Sequence, residues 1–324
     1  MSQSQHLEID QILEYAILAG FAYLDEDNDS DSHRELNWLR RSTVDIKDAR
    51  YSTFVRNCQR NCPDNIRNCP NNIRNCSDRN FQRNQRELVV AIRGTTNLTN
   101  FVANIDQRPR VVDDHLVHNG YFQHYKLIES SLFDDVSDFL RGGDLRNGDL
   151  RNGDLRNGDL KNGDLKNGDL RNGVQVTLVG HSLGGAVATI ASTFLRDLYS
   201  SRHSSGHSSR HGGKINVVTF GTPPFANRSF CDNDNSLRVV DTNDIVPKIS
   251  VGFRHHSRNS FSFTGRQRDP SLSHGIKSYV DNLSLLESGS AKPVESGSAK
   301  KIMRNIKIID SGRNIKRPFF GVKF

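Results

Sequence analysis

The pentapeptide Gly-His-Ser-Leu-Gly at residues 180–184 constrains this chain more than any other feature of its sequence. It directly follows a β-branched apolar run at residues 174–179 and precedes a helical pattern at residues 186–198. A serine with glycines two residues before and after it, set between a strand and a helix, is the pattern of a nucleophile elbow. Glycine is needed because the chain passes close to itself in so tight a turn. The pattern predicts Ser182 as a nucleophile at the positive end of a helix.

Three further apolar runs have the length and composition of buried strands, at residues 87–92, 215–220 and 237–240. Glycine, proline and polar residues follow each of them closely. Residues 9–24 carry apolar side chains at helical spacing and predict an N-terminal helix. Strands that alternate with helices indicate an α/β domain with a mostly parallel sheet flanked by helices. Its functional site is expected at the carboxyl ends of the strands.

A serine hydroxyl becomes a good nucleophile when a histidine takes its proton and a carboxylate orients that histidine. In the elbow architecture the acid and the histidine follow the serine along the chain. Two acids after a predicted strand and three later histidines meet this condition: Asp241, Asp244, His255, His256 and His274. Pro247 can stiffen the turn that holds Asp244, and His274 precedes a helical pattern. These residue patterns alone leave both choices open.

Six motifs in a fixed order carry a resemblance to a known family. They are VVAIRGTT, VHNGYF, VTLVGHSLGGAVATI, VVTFGTPPFAN, TNDIVP and SHGIKSY, spread over residues 89–279. With these motifs the chain resembles the class 3 lipases, the fungal-type branch of the α/β-hydrolases. The resemblance implies the α/β-hydrolase fold. The chain departs from the family pattern at Asn100-Phe101, where the family frequently has Asp-Trp. Residues 97–106 are polar and do not form an obvious amphipathic lid.

The resemblance also implies a role for each site residue. Ser182 would be the nucleophile, Asp244 the acid and His274 the base. The backbone N–H groups of Leu183 and Thr95 would form the oxyanion hole, and a donor from the loop after a second strand also makes physical sense for Thr95.

Three further histidines, at positions 181, 255 and 256, are expected to have roles other than that of the catalytic base. His181 is expected to be a packing and hydrogen-bonding residue of the elbow, not the base. His255 and His256 are expected to have a structural or substrate-side role.

The predicted function is a serine ester hydrolase, lipase-like, that cleaves acyl esters of lipids through an acyl-enzyme. This chemistry requires no metal and no organic cofactor. A phospholipase or a short-chain carboxylesterase is an alternative within the same chemistry. The expected partner is an acyl lipid or ester, with transient contact at a membrane or lipid interface.

Low-complexity tracts interrupt this enzyme-like sequence. We expect one hydrolase domain at residues 1–286, with repeat insertions at 56–86, 143–172 and 201–213, and a basic tail at 287–324. The formal net charge is +7, and the excess of Lys and Arg lies in the first and third insertions and in the tail. A non-catalytic binding protein that uses these basic tracts is therefore a second alternative. The tracts are poor in the aromatic residues on which bases stack, so no specific nucleic acid is expected.

The cysteines and the remaining histidines do not form a recognisable metal or disulfide pattern. Four of the five cysteines lie in the first insertion without a Cys-x-x-Cys pair, which indicates a repeat and not a zinc site or a disulfide framework. Three histidines four residues apart, His203, His207 and His211, lie among Ser, Gly and Arg, where we expect no metal site. No secretory signal and no long apolar run is recognisable, so a cytoplasmic protein is expected.

Overall fold

The structure is a computed structural model of the chain. It describes residues 9–24, 36, 38–57, 86–95, 106–112, 115–140, 174–201, 214–227, 235–249, 252–255, 257 and 259–287. Most of the three insertions and all but the first residue of the tail lie outside these ranges. The cysteine, histidine and pentapeptide repeats, and the binding function that the basic tracts suggest, therefore concern residues outside the described part.

A seven-stranded sheet forms the centre of the described chain. Its strands, given with a separate two-stranded ribbon of β4 and β5, are β1 Leu39–Ile46, β2 Ala49–Asn57, β3 Arg86–Ile92, β4 Pro109–Val112, β5 His115–His118, β6 Val174–His181, β7 Lys214–Phe220, β8 Ser236–Asp241 and β9 Ser260–Phe263. The order in the sheet is β1-β2-β3-β6-β7-β8-β9. The first two neighbouring pairs are antiparallel and the rest are parallel. The prediction of a mostly parallel sheet is confirmed.

Helices cover both faces of the sheet, and this explains the continuous apolar runs of its inner strands. They are α1 Ile9–Phe21, α2 Asn119–Leu140, α3 Leu183–Ser201, the single turn α4 Pro270–Ser273 and α5 Ile276–Glu287. Along β3, Leu88, Val90 and Ile92 pack in the core on the side of α2 and α3. Val89 and Ala91 pack in the opposite core with α1 and α5. Alternate side chains of one strand thus enter two different cores, as the pleat requires.

Two helices that the sequence predicts are confirmed. The N-terminal helix ends at Phe21, and the helix after the elbow begins at Leu183.

Within the described residues, no helix combines the length and apolarity needed to cross a bilayer.

The parallel strands all point the same way, so their ends form two different sides of the sheet. The side at their carboxyl ends is called the carboxyl edge, and the side at their amino ends is called the amino edge. At the carboxyl edge, residues 93–95 follow β3, Ser182 follows β6, and Asp244 follows β8 by three residues. At the opposite amino edge, the last residue of β2, Asn57, pairs with the first residue of β3, Arg86. β6 and β7 also begin at this amino edge. The described residues next to the first insertion therefore lie at the amino edge, opposite Ser182. The described residues that follow the second and third insertions lie at the same edge.

Candidate active site

Ser182 has the backbone conformation of a nucleophile elbow. Its φ is +57°, in the left-handed region that residues with a side chain rarely adopt. Its N–H donates to the carbonyl oxygen of Phe220 at 2.9 Å, and its own carbonyl accepts from the N–H of Gly185 at 3.0 Å. These two bonds hold the strained turn between β6 and α3, and such strain is typical of functional sites.

The two glycines of the motif are required by close approach of the backbone. A Cβ on Gly180 would lie 2.3 Å from the carbonyl oxygen of Gly184. A Cβ on Gly184 would lie 2.2 Å from the carbonyl oxygen of Ile92 at the end of β3. Any larger residue would push the elbow away from β3, and the structure thus gives the physical reason for the spacing in the sequence.

His274 and Asp244 lie in line with Ser182. His274 Nε2 is 2.8 Å from Ser182 Oγ, and His274 Nδ1 is 3.0 Å and 2.9 Å from the two carboxylate oxygens of Asp244. An ionised carboxylate only accepts hydrogen bonds, so the Nδ1 atom carries the proton and donates it to Asp244. The Nε2 lone pair is then directed at the serine hydroxyl. All three residues are buried.

Asp244 is held by two donors besides His274. Its Oδ1 accepts from the N–H of Val246 at 2.9 Å, and its Oδ2 accepts from the hydroxyl of Tyr279 at 2.8 Å. Burial raises the pKa of Tyr279 well above its usual range, so the hydroxyl stays protonated as a donor. Gly221, with a φ of +57°, packs so closely that a Cβ would lie 2.7 Å from Oδ2. These contacts fix the carboxylate in one orientation.

Tyr279 was not singled out in the sequence. It lies in the first turn of α5, five residues after His274, and its side chain is fully buried. A buried tyrosine hydroxyl needs a hydrogen-bonding partner. A tyrosine on the core face of the helix after a candidate base could therefore have been predicted to bind a polar residue of the site.

The candidate acid Asp241 and the candidate base His255 have hydrogen-bonding partners outside the triad. Asp241 Oδ1 accepts from the backbone N–H groups of Asn243 and Gly265 at 2.9 Å and 3.0 Å, which holds the turn after β8. His255 Nε2 donates to the carbonyl oxygen of Pro247 at 2.7 Å, and burial lowers the pKa of His255 to about 4. His256 lies outside the described residues. The structure therefore brings Asp244 and His274 to Ser182, and it gives His255 a contact to the loop of Asp244.

Of the two predicted oxyanion donors, Leu183 directly follows the serine, and Thr95 belongs to a loop that packs against the elbow. Leu183 is the first residue of α3, where backbone N–H groups have no partner within the helix. Thr95 is half-buried and follows Gly94, on which a Cβ would lie 3.3 Å from Ser182 Cβ and 2.4 Å from the carbonyl oxygen of His181. The loop after β3 thus lies directly against the elbow. The helix end adds a positive partial charge at the same place.

His181 forms two hydrogen bonds away from the serine hydroxyl. Its Nδ1 is 2.9 Å from the hydroxyl oxygen of Tyr23, and its Nε2 is 2.6 Å from the carbonyl oxygen of His274. Burial, and then the nearby His274, lower the pKa of His181 to about 3, so the ring is neutral at ordinary pH. The expectation of a hydrogen-bonding residue of the elbow agrees with these contacts.

The site has the groups for general base catalysis by a serine, a histidine and a carboxylate. The described part of the chain contains no cluster of three or more His, Cys, Asp or Glu side chains suited to hold a metal ion. The chemistry available from the side chains themselves is proton transfer from Ser182 to His274, with Asp244 stabilising the resulting imidazolium.

Comparison with known proteins agrees with this geometry. Residues 156–253 match the model of the family described as lipase (class 3). The match includes Ser182 and Asp244 and ends before His274.

Two curated relatives are similar over part of their length. The chain is similar to secreted mono- and diacylglycerol lipase 1 of Fusarium solani, with 24% identity over 53% of this chain and 43% of that protein. It is also similar to the chloroplastic phospholipase A1-Igamma2 of Arabidopsis thaliana, with 31% identity over 26% of this chain and 16% of that protein. The chain thus matches less than half the length of either relative.

A solved structure shows the same fold. This structure, described as a triacylglycerol lipase whose catalytic centre is a serine protease triad, has a TM-score of 0.53 and 18% identity. The similarity covers 90% of this chain and 97% of the lipase. At this identity the comparison supports the α/β-hydrolase fold.

Proposed function

We propose that the chain is a serine ester hydrolase of the class 3 lipase family that cleaves the acyl esters of lipids, which is supported by the family match at residues 156–253 and by the similarity to a mono- and diacylglycerol lipase. The observation that carries the proposal is the buried hydrogen-bonded line from Ser182 Oγ through His274 to the carboxylate of Asp244. Ser182 is proposed as the nucleophile, His274 as the general base and Asp244 as the acid that orients the base. The proposed reaction uses no metal and no organic cofactor.

In the acylation half of the reaction, Ser182 Oγ attacks the carbonyl carbon of the ester. Its proton passes to His274 Nε2, 2.8 Å away, and the carbonyl oxygen becomes an oxyanion. We propose that the backbone N–H groups of Leu183 and Thr95 stabilise this oxyanion. His274 then gives the proton to the departing alkoxide, which leaves as an alcohol, and the acyl group remains on Ser182.

In the deacylation half, a water molecule takes the place of the alcohol. His274 removes its proton, the hydroxide oxygen attacks the acyl carbon, and a second oxyanion forms at the same donors. Collapse of this intermediate breaks the bond to Ser182 Oγ, which takes back the proton from His274. The products are a fatty acid and the regenerated enzyme.

Two exposed apolar side chains are close in sequence to residues of the triad. Ile245, next to Asp244, is 48% exposed, and Leu272, two residues before His274, is 60% exposed. Exposed large apolar side chains can contact acyl chains or a lipid interface. We propose that the protein makes transient contact with such an interface while it works.

Acylglycerols are the proposed substrate class, with phospholipids as a second candidate. The relative in Fusarium solani is a mono- and diacylglycerol lipase, and this match covers the larger part of the chain. The shorter match to a phospholipase A1 supports the second candidate. Both substrates present a carboxylic ester to the same nucleophile.

The test is hydrolysis by the purified full chain and its Ser182→Ala variant. We expect the wild type to hydrolyse p-nitrophenyl acyl esters, and the variant to be slower by at least about 10³-fold because the nucleophile is lost. Diacylglycerol and phosphatidylcholine vesicles, compared at equal acyl-chain length, then separate the two substrate classes. Equal hydrolysis by both proteins would overturn the proposed function.

A further inference from the structure

The hydroxyl of Tyr23 joins three segments of the site that are distant in the sequence. The N–H of Gly94, in the loop after β3, lies 3.0 Å from Tyr23 Oη. Tyr23 Oη lies 2.9 Å from His181 Nδ1 in the elbow. The other nitrogen of the same ring, His181 Nε2, lies 2.6 Å from the carbonyl oxygen of His274. One line of hydrogen bonds therefore runs from the loop of Thr95 to the backbone of His274.

The donors and acceptors in this line follow from its two ends. A carbonyl oxygen only accepts, so His181 Nε2 carries the proton and donates it to His274. In a neutral ring His181 Nδ1 is then an acceptor, and the hydroxyl of Tyr23 donates to it. The Tyr23 oxygen in turn accepts from the N–H of Gly94. Every donor has an acceptor, and only one tautomer of His181 fits.

Steric contacts hold the same groups in place. A Cβ on Gly94 would lie 2.4 Å from both Tyr23 Oη and the carbonyl oxygen of His181. The rings of His181 and His274 lie 4.7 Å apart, and His181 is buried. Burial lowers the pKa of His181 to about 3, so a second positive charge does not form beside His274 when His274 takes the serine proton. Packing thus fixes the positions of these groups, and burial keeps the ring of His181 neutral.

We propose that Tyr23 and His181 are positioning residues, which hold the loop of Thr95 and the backbone of His274 at fixed distances from Ser182. This inference rests on the proposed hydrolase function. Neither residue is proposed to exchange a proton with the substrate. Their effect is on the placement of the oxyanion donor at Thr95 and of the base, and small errors in such placement slow the chemical step.

The described structure offers a matched control in the same helical region. Tyr15, in α1, is buried, whereas Tyr23 is half-buried, and the hydroxyl of Tyr15 donates to Glu87 at 2.7 Å near the amino edge of the sheet. Replacing either tyrosine by phenylalanine removes one hydroxyl and leaves buried polar partners behind. Tyr23→Phe disturbs the line to the site, whereas Tyr15→Phe disturbs a contact at the other edge.

The first experiment compares the kinetics of Tyr23→Phe and Tyr15→Phe on p-nitrophenyl esters. We expect Tyr23→Phe to lower kcat about tenfold with KM within about twofold, because the donors act mainly on the transition state. Tyr15→Phe is expected to keep kcat within about twofold of the wild type. An unchanged kcat in Tyr23→Phe, or an equal fall in both variants, would overturn the proposal.

A second measurement does not depend on hydrolysis. Nitrogen-15 NMR of the histidine rings in the full chain should show His181 as the neutral Nε2–H tautomer. Its Nδ1 resonance should shift in Tyr23→Phe and stay in place in Tyr15→Phe. The Nδ1–H tautomer, or no shift in Tyr23→Phe, would overturn the proposed line of hydrogen bonds. If Ser182→Ala were as active as the wild type, the proposed function alone would fail and this measurement would still decide the geometry.

A double variant tests whether the two residues act together. Tyr23→Phe and His181→Phe share the contact between Oη and Nδ1, so their effects on kcat should not be independent. We expect the double variant to be slowed by less than the product of the two single effects. A slowing equal to the full product would show two separate roles and contradict the shared line.

Discussion

The carboxyl edge of the central sheet holds a line of directed hydrogen bonds around a strained serine, whereas the amino edge holds a compact group of paired charges. At the amino edge, Glu87 accepts from Arg56 at 3.0 Å and from Tyr15 at 2.7 Å. Arg56 also donates to Glu14 at 2.8 Å, and its guanidinium lies 4.4 Å from the ring centre of Trp38. The amino edge thus satisfies its charges with several partners each.

At the carboxyl edge, Ser182, His274 and Asp244 form one line of hydrogen bonds. Ser182 has a positive φ, Asp244 is fully buried, and His274 is the group that connects them. We infer that the two ends of the sheet have different tasks. Paired charges at the amino edge stabilise the fold, and the strained serine with its hydrogen-bonded histidine at the carboxyl edge serves the proposed reaction. Helix α1 and the turn after it contribute to both ends, with Tyr15 at one and Tyr23 at the other.

One isosteric substitution at each edge tests whether the two edges have separate tasks. Asp244→Asn replaces the acceptor of His274 Nδ1–H and favours the wrong tautomer, so we expect kcat to fall about 10³- to 10⁴-fold with little change in unfolding. Glu87→Gln is the control at the amino edge. It is expected to lower the free energy of unfolding by about 2–3 kcal/mol and to keep kcat.

Kinetics and urea unfolding of both variants decide this prediction. A large loss of kcat in Glu87→Gln, with the protein folded by circular dichroism, would contradict the separation of the two edges. So would a normal kcat in Asp244→Asn.

The second prediction concerns pH. Burial and the nearby His274 lower the pKa of His181 to about 3, while an unfolded histidine has its pKa near 6.5. Between about pH 6.5 and pH 3 the unfolded chain therefore binds a proton that folded His181 does not. The free energy of unfolding falls as the pH is lowered through this window, and the contribution of one such group is about 1.4 kcal/mol per pH unit.

His181→Phe isolates this term. Urea unfolding between pH 6 and pH 4 should give a slope for the variant that is smaller by about 1.4 kcal/mol per pH unit. The comparison uses slopes, so a lower overall stability of the variant does not affect it. Parallel slopes in the two proteins would show that His181 is protonated in the folded chain.

The sequence was sufficient for the centre of the fold and for the elbow, because their signals are local. β3, β6 and β7 are continuous β-branched runs, and the glycines around Ser182 have a fixed spacing that only a tight turn requires. The hairpin of β1 and β2 was not predicted. β1 contains Arg, Ser, Thr and Asp and is mostly half-exposed at the edge of the sheet, so it lacks the apolar run of an inner strand.

The choice of acid and base depended on contacts that residue patterns do not show. Asp241 ends β8 and Asp244 follows it by three residues, and only the turn between them directs one to backbone N–H groups and the other to His274. Tyr23 is separated from its partner His181 by 158 positions in the sequence. Such contacts are set by strand order and by the packing of α1, which no local pattern encodes.

Among these predictions, removal of the first insertion is expected to have the smallest effect. Asn57 and Arg86 form the last pair between β2 and β3, so a two-residue Asn-Gly turn can replace residues 58–85. We expect kcat within about twofold of the wild type because this junction lies at the amino edge. Kinetics on p-nitrophenyl esters and a thermal melt measure the result. A folded variant without activity would show that the edges are not separate.

Ser182 is proposed to be activated by His274 and Asp244, and fluorophosphonate labelling measures this activation. The reagent forms a covalent bond with an activated serine oxygen, and mass spectrometry of the digested protein identifies the labelled residue. We expect one label per chain, on the peptide that contains Ser182, slower labelling in Asp244→Asn and none in Ser182→Ala. Equal labelling of Ser182→Ala, or a label on another residue of the wild type, would contradict the account.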